Sequence, residues 1–410
     1  MSTSKWKIGA VVAAALPGLA VRLGGFSPSP LVAIACFGAS VIAASFLLAW
    51  AAEVAQLDIA ASFATAILAL IAVLPEYAVD LYFAFTAGHR PEYAAFAAAN
   101  MTGSNRLLIG LGWPLVALLF ALGLRKRREP ARAVVLKTQR RVELAFLALA
   151  GLYALTIPLR KSLSVFDGGV LLALFSAYLY RASRQEQEAP ELHGVPAALA
   201  LLPARRRRGT VVGCFLGAAA IILLVAQPFA DGLVEGGRRL GIDEFLLVQW
   251  LAPLSTEAPE LIVAGLLAAR GDGEAALGTL LSSKINQWTL LVGSLPLAHA
   301  VGGGGLALAL DGRQTEEFWL TAGQALFALA LLLGLELRAR EALLLLGTFI
   351  GQFLFPGEHA RLVFAAAYGV LTLVFLARYA RAVPPTLLAL VRDAPGGAGG
   401  ASAPRDDHRA

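Results

Sequence analysis

Cysteine is nearly absent from this chain. Cys36 and Cys214 are the only two in 410 residues, and both lie inside apolar stretches. Neither a disulfide framework nor a cysteine-ligated metal is indicated, and both read as small packing residues. Charge is also scarce: Asp, Glu, Lys and Arg make up 15% of the chain against 58% hydrophobic residues, with a mean hydropathy of +0.70. A soluble domain of this length could not hide so much apolar side chain from water, so the solvent is lipid. The five histidines, at 89, 193, 299, 359 and 408, fall in or near loops without metal-ligating spacing. There is no Walker-type glycine loop and no soluble nucleotide domain, which argues against an ATP-driven pump. Ser283 beside Lys284 does not make a serine–lysine hydrolase, because adjacent residues on a helix point about 100° apart. The chain therefore reads as a non-enzyme with no cofactor beyond a transported cation. The net charge of +6 is concentrated in loops between apolar runs, a topology signal rather than a nucleic-acid footprint.

What is present is a series of apolar runs, each long enough to cross a hydrocarbon core of roughly 30 Å as a helix. Twelve spans are predicted, at 8–24, 31–52, 58–87, 93–123, 141–158, 164–181, 210–230, 243–269, 274–301, 317–337, 341–356 and 360–381. The first, with Pro17 and Arg22, could pass for a signal peptide but reads better as a retained helix, since its removal would invert the next span. With the N-terminus in the cytoplasm, 24 of the 34 Lys and Arg residues fall on the inner side, 8 on the outer side and 2 within spans. Both termini are then cytoplasmic, in a multi-pass plasma or bacterial-type inner membrane. The basic runs Arg125 to Arg128 and Arg205 to Arg208 set topology, with lipid headgroups as a secondary use. The expected organisation is an extra N-terminal helix over 1–30, transmembrane repeats over 31–181 and 210–356, a basic cytoplasmic linker over 182–209, an extra C-terminal helix over 357–381 and a disordered tail over 382–410.

The two repeats rest on a duplicated pattern. Leu74-Pro75-Glu76-Tyr77 lies in the third span and Ala258-Pro259-Glu260-Leu261 in the eighth. A polar cluster follows each in the next span: Thr102-Gly103-Ser104-Asn105, then Ser282-Ser283-Lys284-Ile285-Asn286. Corresponding spans are five crossings apart, an odd number, so the copies run in opposite directions, as in inverted-repeat secondary transporters. The fold class expected is all-α: two inverted five-helix repeats with extra N- and C-terminal helices.

Ionisable groups at membrane depth cost about 2.5–3.5 kcal/mol each on insertion scales, which makes them functional candidates. Glu76 and Asp80 share one helical face, as do Glu257 and Glu260. Pro75 and Pro259 each free a backbone carbonyl beside the motif carboxylate. Carboxylate, hydroxyl and carbonyl oxygens are what a hard cation needs when it sheds water. Ser104, Asn105, Asn100, Ser283, Asn286 and Gln287 add neutral oxygens, and Ser255 and Thr256 add more in the second half. The bland alternative is that Glu76 and Glu260 merely pair with Arg106 and Lys284 to lock the bundle. Four acids against those two bases leave a formal charge near minus two, which a divalent ion, two monovalent ions or protons could balance.

At these residues the chain resembles the cation/calcium antiporter superfamily, which includes the sodium/calcium exchangers. That family carries a Thr-Ser-x-Pro-Glu type motif followed by Gly-Ser-Asn in each half. The counterparts here are Ala72-Val73-Leu74-Pro75-Glu76 with Gly103-Ser104-Asn105, and Thr256-Glu257-Ala258-Pro259-Glu260 with Ser282-Ser283-Lys284. The resemblance implies alternating access with Glu76 and Glu260 as central metal-cation ligands and Ser104 and Ser283 as neighbouring oxygen donors. Asp80, Glu257, Asn105, Thr256 and Asn286 complete the candidate cation-binding set, and Arg106 and Lys284 are charges that modulate it. Ala72, Val73, Glu257 and Leu108 depart from the family pattern. Gln287 stands opposite Leu108 if Ser283 is the anchor; aligning Asn105 with Asn286 would shift that register. The expected function is a sodium/calcium-exchanger-type antiporter, with a sodium/proton or other cation/proton antiporter as the alternative. A non-transporting membrane protein closed by Arg106 and Lys284, or a passive channel, are rivals of another class. The expected partners are membrane lipid and small inorganic cations, with no nucleic acid and protein partners unknown.

Overall fold

Because no water solvates the backbone inside lipid, an apolar chain of this kind must satisfy its peptide groups within helices. The computed structural model describes residues 2–58, 74–130, 133–184, 192–355 and 357–391, and it is all-α and polytopic. In chain order the helices are α1 (Ser2–Leu23), α2 (Pro30–Ala55), α3 (Leu74–Ala87), α4 (Tyr93–Leu107), α5 (Trp113–Lys126), α6 (Arg141–Ala154), α7 (Thr156–Arg160), α8 (Val165–Ala182) and α9 (Val195–Ala200). There follow α10 (Ala204–Leu240), α11 (Glu244–Ala269), α12 (Gly273–Asn286), α13 (Val292–Val301), α14 (Gly312–Leu332), α15 (Ala339–Leu354), α16 (Glu358–Arg378) and α17 (Val383–Leu388). Single π-helical turns, Leu108–Gly112 and Gln287–Leu291, join α4 to α5 and α12 to α13.

Among the described residues, eight helices are long and apolar enough to cross a membrane, fewer than the twelve predicted. The shortfall has physical reasons. Residues 59–73 of the expected span 58–87, Ala72 and Val73 among them, lie outside the described residues. Span 274–301 contains the polar cluster 282–287, span 317–337 begins at Glu317 just after Glu316, and α15 has only 16 residues. Conversely, α10 has 37 residues and is about 55 Å long at 1.5 Å per residue, so it extends well beyond the predicted 210–230 and takes in the end of the expected linker. Its first turn carries Arg207 and Arg208, which grip Asp58 at 2.8 and 2.9 Å and tie the end of α2 to the start of α10. The Arg207 hydrogen bond, with Arg208 beside it, holds the Asp58 carboxyl well below its ordinary value, at about 2.

Loop contacts fall into two groups. Val134–Val135 pairs antiparallel with Glu336–Leu337, and Arg127 donates to the Arg270 carbonyl at 2.6 Å. Ser162–Ser164 pairs antiparallel with Ala307–Ala309, and His89 meets the Gly302 carbonyl. Each contact joins loops that the predicted twelve-span topology puts on one side. The tail expected to be disordered over 382–410 instead begins with α17, which docks on α6: Arg141 donates to Thr386 Oγ1 at 2.8 Å, and Thr386 is buried. Proline in the first turn of α17 presets its helical φ, a local signal hidden by the Gly, Ala and Pro content further on. Residues 392–410 lie outside the described residues.

The elements that carry the polar motifs pack against one another at the centre. Pro253 has no N–H, so the Gln249 carbonyl of α11 lacks its helical donor, and that oxygen faces Gly103 of α4. A Cβ on Gly103 would stand 1.8 Å from it, so only glycine permits this approach of α4 to α11. The residue after Gly103 is Ser104.

Candidate functional site

Glu76 stands in the first turn of α3, Glu257 and Glu260 on the stretch of α11 around Pro259, and the serine clusters at the ends of α4 and α12. Ser104 is the hub. Its hydroxyl oxygen is in hydrogen-bonding contact with Glu76 Oε1 and, at 2.7 Å, with Glu257 Oε1. Gln287 bridges the same two acids, its Nε2 donating to Glu257 Oε1 at 2.7 Å and to Glu76 Oε2 at 3.4 Å. Both carboxyls are buried, at 4% and 3% exposure, so acids from α3 and α11 meet in the interior of the bundle.

The second half holds its motif acid in the same way. Ser283 donates to Glu260 Oε2 at 2.7 Å, and Glu260 is half-buried rather than enclosed. Each π-turn begins four residues after its serine, at Leu108 after Ser104 and at Gln287 after Ser283. This fixes the register left open in the sequence: Ser283 is the counterpart of Ser104, and Gln287 stands where the first half has Leu108. A π-turn inserts one residue into the helical repeat and re-aims the side chains around it, and such turns are frequent at functional sites.

Hydrogen-bond counting then constrains the chemistry. A serine hydroxyl has one hydrogen and can donate to only one of Glu76 and Glu257. The other contact is favourable if that carboxyl carries a proton and donates to Ser104 Oγ. Both contacts become favourable if one of the two acids carries a proton, or if a cation shares the pair. Among the described residues nothing donates to the buried Glu257 Oε2 and Gln287 Oε1, nor to Asp80 Oδ2, one turn along α3, and Asn100 Oδ1 on α4. Asn100 does donate through Nδ2 to Asp80 Oδ1, at 2.8 Å. Buried oxygens without donors are costly unless a cation or a proton visits them. Among the described residues no three His, Cys, Asp or Glu side chains form a ready metal cluster, so a cation here would draw on hydroxyl, amide and backbone oxygens as well.

Several expected roles fall out differently. Arg106 does not pair with Glu76 or Glu260; its Nη2 lies 2.5 Å from Glu317 Oε2 on α14, both side chains 3% exposed, and its guanidinium stacks 5.0 Å from the Trp250 ring. At the next helical position after Asn105 it points away from the acids, so they face one base, Lys284, rather than two. Lys284 is wholly buried yet makes no ion pair among the described residues: its Nζ donates to the Asn105 carbonyl at 3.0 Å and to Asn105 Oδ1, and lies 5.0 Å from the Trp288 ring. Thr256 turns its hydroxyl back to the carbonyls of Ala252 and Pro253, 3.3 and 3.2 Å away. Asn286 is buried beside Lys284 in the α12 cluster. Glu317 was missed as a site residue, although a double acid opening an apolar run was the available signal.

Comparison with known proteins follows this geometry. A family model described as sodium/calcium exchanger protein matches residues 29–184 and 210–356. No curated protein matches the chain. A crystal structure of the H+/Ca2+ exchanger CAX is 43% identical over 94% of this chain and 97% of that one, with a TM-score of 0.89. Two further structures share the fold alone. Native YfkE is 14% identical over 87% and 98% of the two chains at a TM-score of 0.62. The sodium-calcium exchanger NCX_Mj, soaked with sodium and strontium, is 18% identical over 84% and 98% at 0.51.

Proposed function

This chain belongs to the sodium/calcium exchanger family and is a secondary active cation antiporter of that type, and from that premise we propose that it exchanges calcium for protons at the Glu76–Glu257 pair. The observation that carries the reading is the single Ser104 hydroxyl held between two buried carboxyls, an arrangement that one resident proton satisfies. Calcium arriving at the site finds Glu257 Oε2 and Gln287 Oε1 without donors, and its charge favours release of the shared proton. One carboxyl O–H bond breaks, the proton leaves to the side from which calcium enters, and the carboxylate so formed ligates the metal; once the loaded site has reoriented and calcium has left, a proton from the other side re-forms the O–H bond. Glu260 with Ser283 forms the partly open flank of the site, and Asp80 with Asn100 a second proton acceptor. The 43% identical relative described as an H+/Ca2+ exchanger supports proton over sodium as counter-ion.

The wider architecture belongs to the same proposal: two inverted five-helix repeats over 31–181 and 210–356, twelve crossings with the extra terminal helices, and both termini cytoplasmic in a plasma-type membrane. The matched serine–glutamate contacts, the two π-turns and the two-part family match support it. The test is flux in proteoliposomes, with proton and sodium gradients imposed separately. A proton gradient is expected to drive calcium accumulation with no sodium present. Uptake driven by sodium alone would make the counter-ion sodium, and the absence of flux under either gradient would favour a non-transporting protein.

A further inference from the structure

Lys284 is a buried basic group beside the acids that the exchange cycle leaves without a role. It follows Ser283 as Asn105 follows Ser104, so an ammonium in the second half stands where the first half has an amide. Among the described residues the buried ammonium has no anionic partner in hydrogen-bonding reach, and its two oxygen acceptors are both from Asn105, the backbone carbonyl and Oδ1. Two converging oxygens of this kind are ligands for an alkali cation, and the Trp288 ring face beside them suits any cation.

We infer that Lys284 is a tethered cation filling a subsite at Asn105 that would otherwise take a sodium ion, and that it thereby makes the exchanger indifferent to sodium. A covalently attached ammonium is present at very high effective concentration, so a free sodium ion cannot compete for those oxygens. The inference rests on the calcium/proton reading above and deepens it by naming the residue that excludes the other common coupling ion.

The experiment compares the full-length protein with Lys284→Gln and Lys284→Arg in proteoliposomes and in detergent. Calcium uptake driven by a proton gradient in the unsubstituted protein is the control for the underlying reading; its absence would overturn that reading alone. Given that flux, Lys284→Gln is expected to make uptake sodium-sensitive by about tenfold when sodium stands near ten times its Kd. Lys284→Arg keeps the charge and should remain insensitive. Equilibrium binding of radioactive sodium in detergent, which needs no transport, should show one saturable site per Lys284→Gln chain and none in the unsubstituted protein. A Lys284→Gln protein that stays folded and neither binds sodium nor responds to it would overturn the inference.

Discussion

Glu257→Gln is expected to abolish calcium uptake while leaving folded protein in the membrane, and Glu76→Gln should do the same. Each substitution keeps the shape of the side chain and removes a titratable oxygen from the pair that shares Ser104. Losing one partner of a buried, hydrogen-bonded charged group costs about 2–5 kcal/mol or more, so flux should fall on the order of 100-fold or beyond. The amide also replaces an acceptor by an NH2 group that points donors at Ser104 or Gln287, which blocks both the proton and the metal. Glu260→Gln should be milder, because its Ser283 contact lies on the half-buried flank. Reconstituted calcium flux, normalised to monodisperse protein, separates these outcomes. Equal loss at all three positions would mean that Glu260 is as central as the other two, and unimpaired flux in Glu257→Gln would remove it from the mechanism.

The Arg106–Glu317 pair should dominate stability rather than transport chemistry. With both side chains 3% exposed and 2.5 Å apart, neither charge can be rehydrated when the other is lost. Glu317→Gln alone is expected to cost about 3–5 kcal/mol, since among the described residues it leaves a buried guanidinium with little beyond the Trp250 ring and the Thr102 carbonyl, 3.4 Å from Nε. Arg361 near Glu317 raises that penalty by adding a like charge. Replacing the pair together by Met and Leu should be close to neutral, because an apolar pair of similar volume forgoes the desolvation cost. Thermal unfolding in detergent distinguishes the two: a large drop for the single change and a small one for the double. Similar losses in both would show that the pair contributes net stability of its own.

Much of this was legible in the sequence, and the parts that were not share a cause. Lipid as solvent, the Pro-Glu breaks and the serine clusters are local patterns, visible because polar residues stand out in an apolar chain. Which acid of α11 would meet Glu76 was not local. Glu257 and Glu260 share one helical face, and only the close approach of Gly103 to the Gln249 carbonyl places Ser104 against Glu257. The partner of Arg106 was equally hidden, since Glu317 lies on a helix far along the chain and a rotation of one residue past Asn105 turns the guanidinium toward it. Thr256 was a reasonable ligand by position, but in a helix its hydroxyl has carbonyl acceptors one turn back and takes them. The helical docking of α17 depended on Arg141, a residue counted only as a topology charge.

The account turns on one proton held between two carboxyls and released when calcium binds. Adding calcium to purified protein in weakly buffered detergent solution near neutral pH tests this without gradients or flux. The medium should acidify by at least one proton per calcium bound, and Glu257→Gln should bind calcium poorly and release none. Calcium binding at full stoichiometry with no change in pH would contradict it.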